Sequence, residues 1–284
     1  MNIREIQPQL LTHFEKLLQA DKLSHAYLFV GGFGAYDMAI WLSQAIFCQE
    51  AERPCGKCRI CELVAQDEFT DLHVIRPDGQ SIKVDQIREL LMTIETTGFE
   101  STKKAVIIRD SEKMGLNAAN ALLKTIEEPD SEIYIFLLAE NENLLLPTIQ
   151  SRVQKVVFPK NVQFLEAFIQ NQGIDISQAH LLAEITESTD EALKILQSDW
   201  FNNACQPLMI WSNKAQDAPE DAFLALQSLS LLFASKAEQE KAFEALLVLF
   251  NSAGARKYTE KTFKAQRMWR ANVRFQSCLE SILL

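Results

Sequence analysis

Four cysteines, Cys48, Cys55, Cys58 and Cys61, stand close together in a chain of 284 residues. Their spacing, C-x6-C-x2-C-x2-C, is that of metal ligands. Four thiolates suit a tetrahedral Zn²⁺, and four protein ligands leave no open position for catalysis. Pro54 and Gly56 supply a turn for the chain to wrap an ion, so a structural zinc site is expected. Free thiols and a C-x-x-C redox pair are the competing readings. Cys205 and Cys278 stand alone, and no disulfide framework is expected.

Just upstream, residues 31–38 read GGFGAYDM after an apolar run. A phosphate loop, G-x-x-x-x-G-K-[ST], needs bare backbone N–H groups near the phosphates. It also needs a lysine on their outer oxygens and a hydroxyl on Mg²⁺. Gly31 and Gly34 keep the outline of such a loop. Tyr36 stands where the second glycine belongs, Asp37 where the lysine belongs and Met38 where the hydroxyl belongs. Tyr36 crowds the backbone, Asp37 sets an anion beside anions, and Met38 cannot hold a hard cation. ATP is not expected to bind productively. On these residues alone, a strand-turn-helix unrelated to nucleotides remains the alternative.

The elements that would position these groups alternate over residues 1–160. Strands are expected at 26–30, 72–76, 105–110, 133–139 and 155–158, apolar enough for a parallel sheet buried on both faces. Asp85 is read as the N-cap of a helix carrying Ile87, Leu90, Leu91 and Ile94 at helical spacing. A second helix is expected at 117–128, with Leu122, Leu123 and Ile126 on one face and Pro129 ending it. After Pro159 the strand signal stops. Small helices are expected at 164–170, 177–187 and 190–197, then apolar helical stripes at 223–233 and 243–250, with Pro207, Pro219 and Gly254 as punctuation. The division expected is 1–160 as an α/β domain, 161–204 and 205–284 as two helical ones. A net charge of −10 argues against coating nucleic acid by bulk charge. No apolar run reaches the ~20 residues that span a bilayer, and the first residues show no signal-peptide core. A cytoplasmic protein is expected.

Five stretches together resemble the bacterial clamp-loader AAA+ family, most closely its delta-prime type. They are His25-Ala26-Tyr27-Leu28-Phe29, the four-cysteine insertion, residues 82–90 (IKVDQIREL), residues 120–129 (NALLKTIEEP) and residues 146–152 (LPTIQSR). They fall in the family's order and spacing across 25–152. The resemblance implies an AAA+ parallel-sheet domain, a helical lid (161–204) and a helical collar (205–284). It implies a five-subunit ring with tau/gamma-type ATPase subunits and a delta subunit, which opens a sliding clamp and places it on primer-template DNA. The chain would then belong to a DNA polymerase III holoenzyme, a DNA-directed DNA polymerase, without making a phosphodiester bond itself.

The family's ATPase parts can be checked position by position. Asp110 falls where the first Walker B acid belongs, and Ser111 replaces the glutamate that would polarise water. Glu140 stands at the sensor-1 hydroxyl position and Asp190 at the sensor-2 arginine position. With the loop, these changes remove most of the cradle for a γ-phosphate and its Mg²⁺. Ser151 and Arg152 of the family's Ser-Arg-Cys motif remain, with Val153 in place of the cysteine. The resemblance makes Arg152 an arginine finger facing a neighbour's ATP, a role its planar fork suits; the plainer reading is a surface arginine in a local salt bridge. An active AAA+ loader and a zinc-dependent nucleic-acid module are the alternative functions. Near the end, Arg256, Lys257, Lys261, Lys264, Arg267, Arg270 and Arg274 interleave with Tyr258, Phe263, Trp269 and Phe275. Helical spacing alone explains the aromatics, so a collar helix with a solvated basic face is favoured over one facing DNA or docking on an acidic partner.

Overall fold

The computed structural model describes residues 2–95, 100–129 and 132–284. They form two compact units, Met1–Asn161 and Val162–Leu284.

In the first unit, α1 (Ile3–Ile6) and α2 (Pro8–Gln19) precede β1 (Ala26–Val30) and α3 (Ala35–Phe47). Then come α4 (Arg59–Ala65), β2 (Leu72–Ile75), α5 (Val84–Glu95), β3 (Lys103–Ile108) and α6 (Leu116–Glu127). β4 (Glu132–Ala139), α7 (Pro147–Gln150) and β5 (Gln154–Val157) complete it. All pairings are parallel, in the order β2-β3-β4-β1-β5. This is the expected AAA+ type of sheet. The inner strands β1, β3 and β4 read as nearly unbroken apolar runs because both of their faces are covered, whereas the edge strand β5 is largely exposed. One face packs Leu28, Val106, Ile135 and Leu137 against Ile87 and Leu90 of α5 and Leu122 and Ile126 of α6. The other carries an aromatic group: Tyr27 stacks on Phe136 at 6.1 Å, and Phe29 meets Phe158 at 4.7 Å. β1 lies between β4 and β5. The loop after it therefore opens at the carboxyl edge of a central strand, where open α/β sheets place their ligands.

The second unit is helical throughout its described residues: α8 (Val162–Gln170), α9 (Ile176–Ile185), α10 (Thr189–Leu196), α11 (Asp199–Asp217), α12 (Pro219–Ser230), α13 (Lys236–Ser252), α14 (Arg256–Arg270) and α15 (Phe275–Leu283). No helix among the described residues is long and apolar enough to cross a membrane.

Four local expectations need correction. Asp85 is not the N-cap of α5 but lies inside its first turn. The cap position is Lys83, whose backbone N–H donates to Gln86 Oε1 at 2.9 Å. A glutamine three residues into the helix thus does what a capping-box side chain does. Pro207 does not punctuate: α11 runs through it, giving up one backbone donor. The stripe at 223–233 is not a single apolar face. Ala222, Leu226 and Leu229 are buried, whereas Phe223 is 49% exposed. β3 also starts two residues earlier than expected, because the buried Lys104 finds an acceptor for its ammonium in the Ile94 carbonyl at 2.7 Å.

Candidate functional site

The loop after β1 has the shape of a phosphate loop and is filled by the protein's own groups. Gly31 (φ +95°) and Gly34 (φ +81°) adopt left-handed conformations that favour glycine. A Cβ on Gly31 would stand 2.5 Å from the Phe158 carbonyl oxygen, and one on Gly34 would stand 2.9 Å from Ile6 Cγ2. The Gln7 amide donates to the Phe33 carbonyl at 3.0 Å and to the Pro159 carbonyl at 2.6 Å. The glycines therefore serve close packing of the chain's first helices and of the segment after β5.

Tyr36 points its hydroxyl away from the loop to the Asp67 carboxylate, at 2.6 and 2.7 Å from its two oxygens. Arg76 also donates to Asp67, at 2.5 Å, and the Arg109 guanidinium lies 4.6 Å from the centre of the Tyr36 ring. Burial first, then the Asp67 carboxylate, pushes the Tyr36 phenol up to about 12. Asp37 stands in the first turn of α3, where its carboxylate answers the helix dipole that a phosphate would otherwise answer. Met38 is fully buried in the core. The cavity left beside Gly31, Tyr36, Arg109, Asp110 and Glu140 measures about 170 Å³, below the roughly 300–1,000 Å³ of ordinary ligand sites.

Of the residues beside this cavity, Asp110 has a local partner. Asp110 (φ +48°) lies 3.5 Å from Lys113. Ser111 is fully buried, and its hydroxyl donates to the Leu138 carbonyl at 3.0 Å, tying β3 to β4. Glu140 is exposed at the end of β4. Asp190 lies in the first turn of α10, in the second unit.

The four cysteines converge. Their sulfurs all lie within 4.8 Å of one another, with Cys48–Cys58 at 4.0 Å and Cys55–Cys61 at 3.9 Å. A tetrahedron of Zn–S bonds of about 2.3 Å places its sulfurs roughly 3.8 Å apart, so the donor set fits that ion. Backbone N–H groups of Cys58 and Cys61 point at the sulfurs of Cys55 (3.3 Å) and Cys58 (3.5 Å), a second layer that favours thiolates. The Lys57 N–H leads in drawing the Cys55 thiol down to about 7, while burial pushes Cys61 up. Cys48 ends α3 and Cys58 caps α4, so the cluster joins two helices. It can hold a metal ion.

Arg152 follows α7 at the surface. Its Nε donates to a Glu127 carboxylate oxygen and its Nη1 to the Thr148 carbonyl at 2.9 Å and to Ser151 Oγ at 3.2 Å. Ser151 in turn donates to Thr148 at 3.1 Å. The guanidinium is thus held at Nε and Nη1 by groups of α6, α7 and Ser151, and the side chain stays 38% exposed. Sequence reasoning did not find Gln7, Asp67 or Arg76, which lie far from the motif. Arg109 was within sight, beside Asp110.

A family model described as DNA polymerase III, delta subunit, matches residues 6–162. The chain is 34% identical over 253 residues to the DNA polymerase III subunit delta' of Bacillus subtilis, covering 87% of this chain and 77% of that one. The chain belongs to the DNA polymerase III delta-prime family. The Escherichia coli subunit delta' is 31% identical over 205 residues, covering 68% of this chain and 61% of the other. The Bacillus subtilis subunit tau is 37% identical over 158 residues, 52% of this chain and 28% of that one. A gamma subunit-related protein of Thermotoga maritima aligns at 20% identity and a TM-score of 0.44, covering 95% of this chain and 96% of that one.

Proposed function

We propose that this delta-prime family member is a clamp-loader subunit that hydrolyses no ATP and supplies Arg152 to the ATP site of an adjoining subunit. One contrast carries the reading. The space at the chain's own loop is narrowed to a small cavity lined by Tyr36, which is bonded to Asp67 and covered by Arg109, whereas Arg152, paired with Glu127, keeps its side chain partly exposed on a short, well-held turn. A cation already held at Nε and Nη1 loses little freedom when its Nη2 meets a developing phosphoryl charge. The partners are tau/gamma-type ATPases and a delta subunit in a five-membered ring, acting on a sliding clamp and primed DNA in the cytoplasm. Residues 161–204 serve as the lid and 205–284 as the collar. Zinc is the ion for Cys48, Cys55, Cys58 and Cys61, and its role is structural.

The test is a reconstituted ring carrying Arg152→Ala. Assembly is expected to persist, and hydrolysis at the adjoining site to slow by as much as ~10³–10⁵, lost as one site's share of a single-turnover burst. An unchanged burst rejects the finger. A second measurement uses the purified chain by itself: calorimetric titration with Mg-ATP should show no heat of binding, and tight binding would restore the active-ATPase alternative.

A further inference from the structure

Residues 256–274 hold seven basic side chains and one acid, Glu260, in a chain whose net charge is −10. Helix α14 explains part of this segment. Its inner face buries Thr262, Ala265 and Gln266. Tyr258 stacks on Phe250 at 5.2 Å, and Trp269 packs on Phe243 at 5.8 Å while its Nε1 donates to Gln239 at 2.8 Å. These two half-buried aromatics pack inward on the core.

Phe263 does not: it is 52% exposed. At about 100° per residue, Arg256, Phe263, Arg267 and Arg270 fall within an arc of about 60° on the outer face. Arg270 pairs with Glu240 at 2.8 Å. Among the described residues, Arg256, Lys257, Lys264 and Arg267 are exposed and pair with no carboxylate. Positive charge is dense enough that, after burial, Lys257 and Lys264 contribute to holding the Lys261 ammonium below its ordinary value. An unneutralised basic stripe around an outward-facing aromatic ring matches a ligand with regularly spaced anions and flat apolar faces. Single-stranded nucleic acid has both. A duplex, with its bases stacked inside, or a run of carboxylates alone would answer the charges and leave the Phe263 ring unused.

We propose that the outer face of α14 binds single-stranded nucleic acid, with phosphates on Arg256, Lys264 and Arg267 and a base stacked on Phe263. The site is independent of any role of Arg152. The test uses the full chain and a labelled oligothymidine of roughly 12 nucleotides, within the usual site sizes, followed by fluorescence anisotropy. Contact with three or four phosphates predicts an affinity that falls roughly 20- to 50-fold between about 50 and about 200 mM salt. Phe263→Ala should weaken binding about tenfold with the salt slope unchanged. Lys264→Ala with Arg267→Ala should weaken it and flatten the slope. Base-free polyphosphate, which needs no variant, should compete less well than oligothymidine at equal phosphate. The proposal fails if nothing binds at the lower salt or if the charge variants bind as the parent does. It also fails if Phe263→Ala is silent and polyphosphate or polyglutamate displaces the strand as well as oligothymidine does, which would mark a surface for an acidic protein.

Discussion

Tyr36 shows how a side chain at a loop position can be tied into the fold by a single tertiary bond. Its hydroxyl joins α3 to Asp67 just beyond α4, and its ring carries Arg109. Tyr36→Phe keeps the ring and removes the bond, so it should cost about 1–2 kcal/mol in a urea titration. The pH dependence has a definite sign. The folded-state phenol titrates near 12 against an ordinary value of 10.0, so the native state holds the proton more tightly. Its contribution is full below about pH 10 and is lost as pH rises through about 12. The Tyr36→Phe variant should therefore lose less stability than the parent over that window; equal losses would show that Tyr36 is not the group responsible. The replacements at 36, 37 and 38 were visible in the sequence because the motif names each position. Asp67 and Arg76 were not, because a tertiary bond across 31 residues leaves no periodic or spacing signal.

At the scale of elements, the four-cysteine module does more than close a loop. It fixes the start of α4 against the end of α3, and the Gln44 amide adds a bond to the Cys61 carbonyl at 2.7 Å. Asp67 sits two residues past the end of α4, so the module also sets where the Tyr36 bond is made. Full removal of bound metal by a chelator should lower the thermal midpoint by roughly 5–10 °C, with about one zinc released per chain. An unchanged midpoint after complete release would reject the structural role. Element types were legible because β1, β3 and β4 are buried and apolar nearly throughout and α6 has a regular buried stripe. Ends were less so. Asp85 has the chemistry of a cap, but Gln86 reaches back to Lys83 and starts α5 earlier, and α11 absorbs Pro207 because its flanking turns are anchored by buried Ala204, Cys205 and Leu208.

For the whole molecule, the sheet and core of the first unit close within Met1–Asn161. Asn161 donates to the Ile6 carbonyl at 2.8 Å, so the unit's two ends are fastened to each other. A fragment of residues 1–161 should fold alone with a single cooperative unfolding transition and keep its metal. A fragment lacking a cooperative transition would mean that the second unit is needed for folding. Alternation of β and α announced the sheet, while the bonds that close the unit come from Gln7 and Asn161, polar residues with no pattern to betray them. The packing at Gly31 and Gly34 bears on descent as well as on stability. Whatever their origin, these glycines are required by the fold, because Phe158 and Ile6 leave no room for a Cβ. Purifying selection can hold the loop's outline after every phosphate-facing side chain has changed. The outline therefore dates nothing, and a lineage could carry it indefinitely without ever meeting a nucleotide.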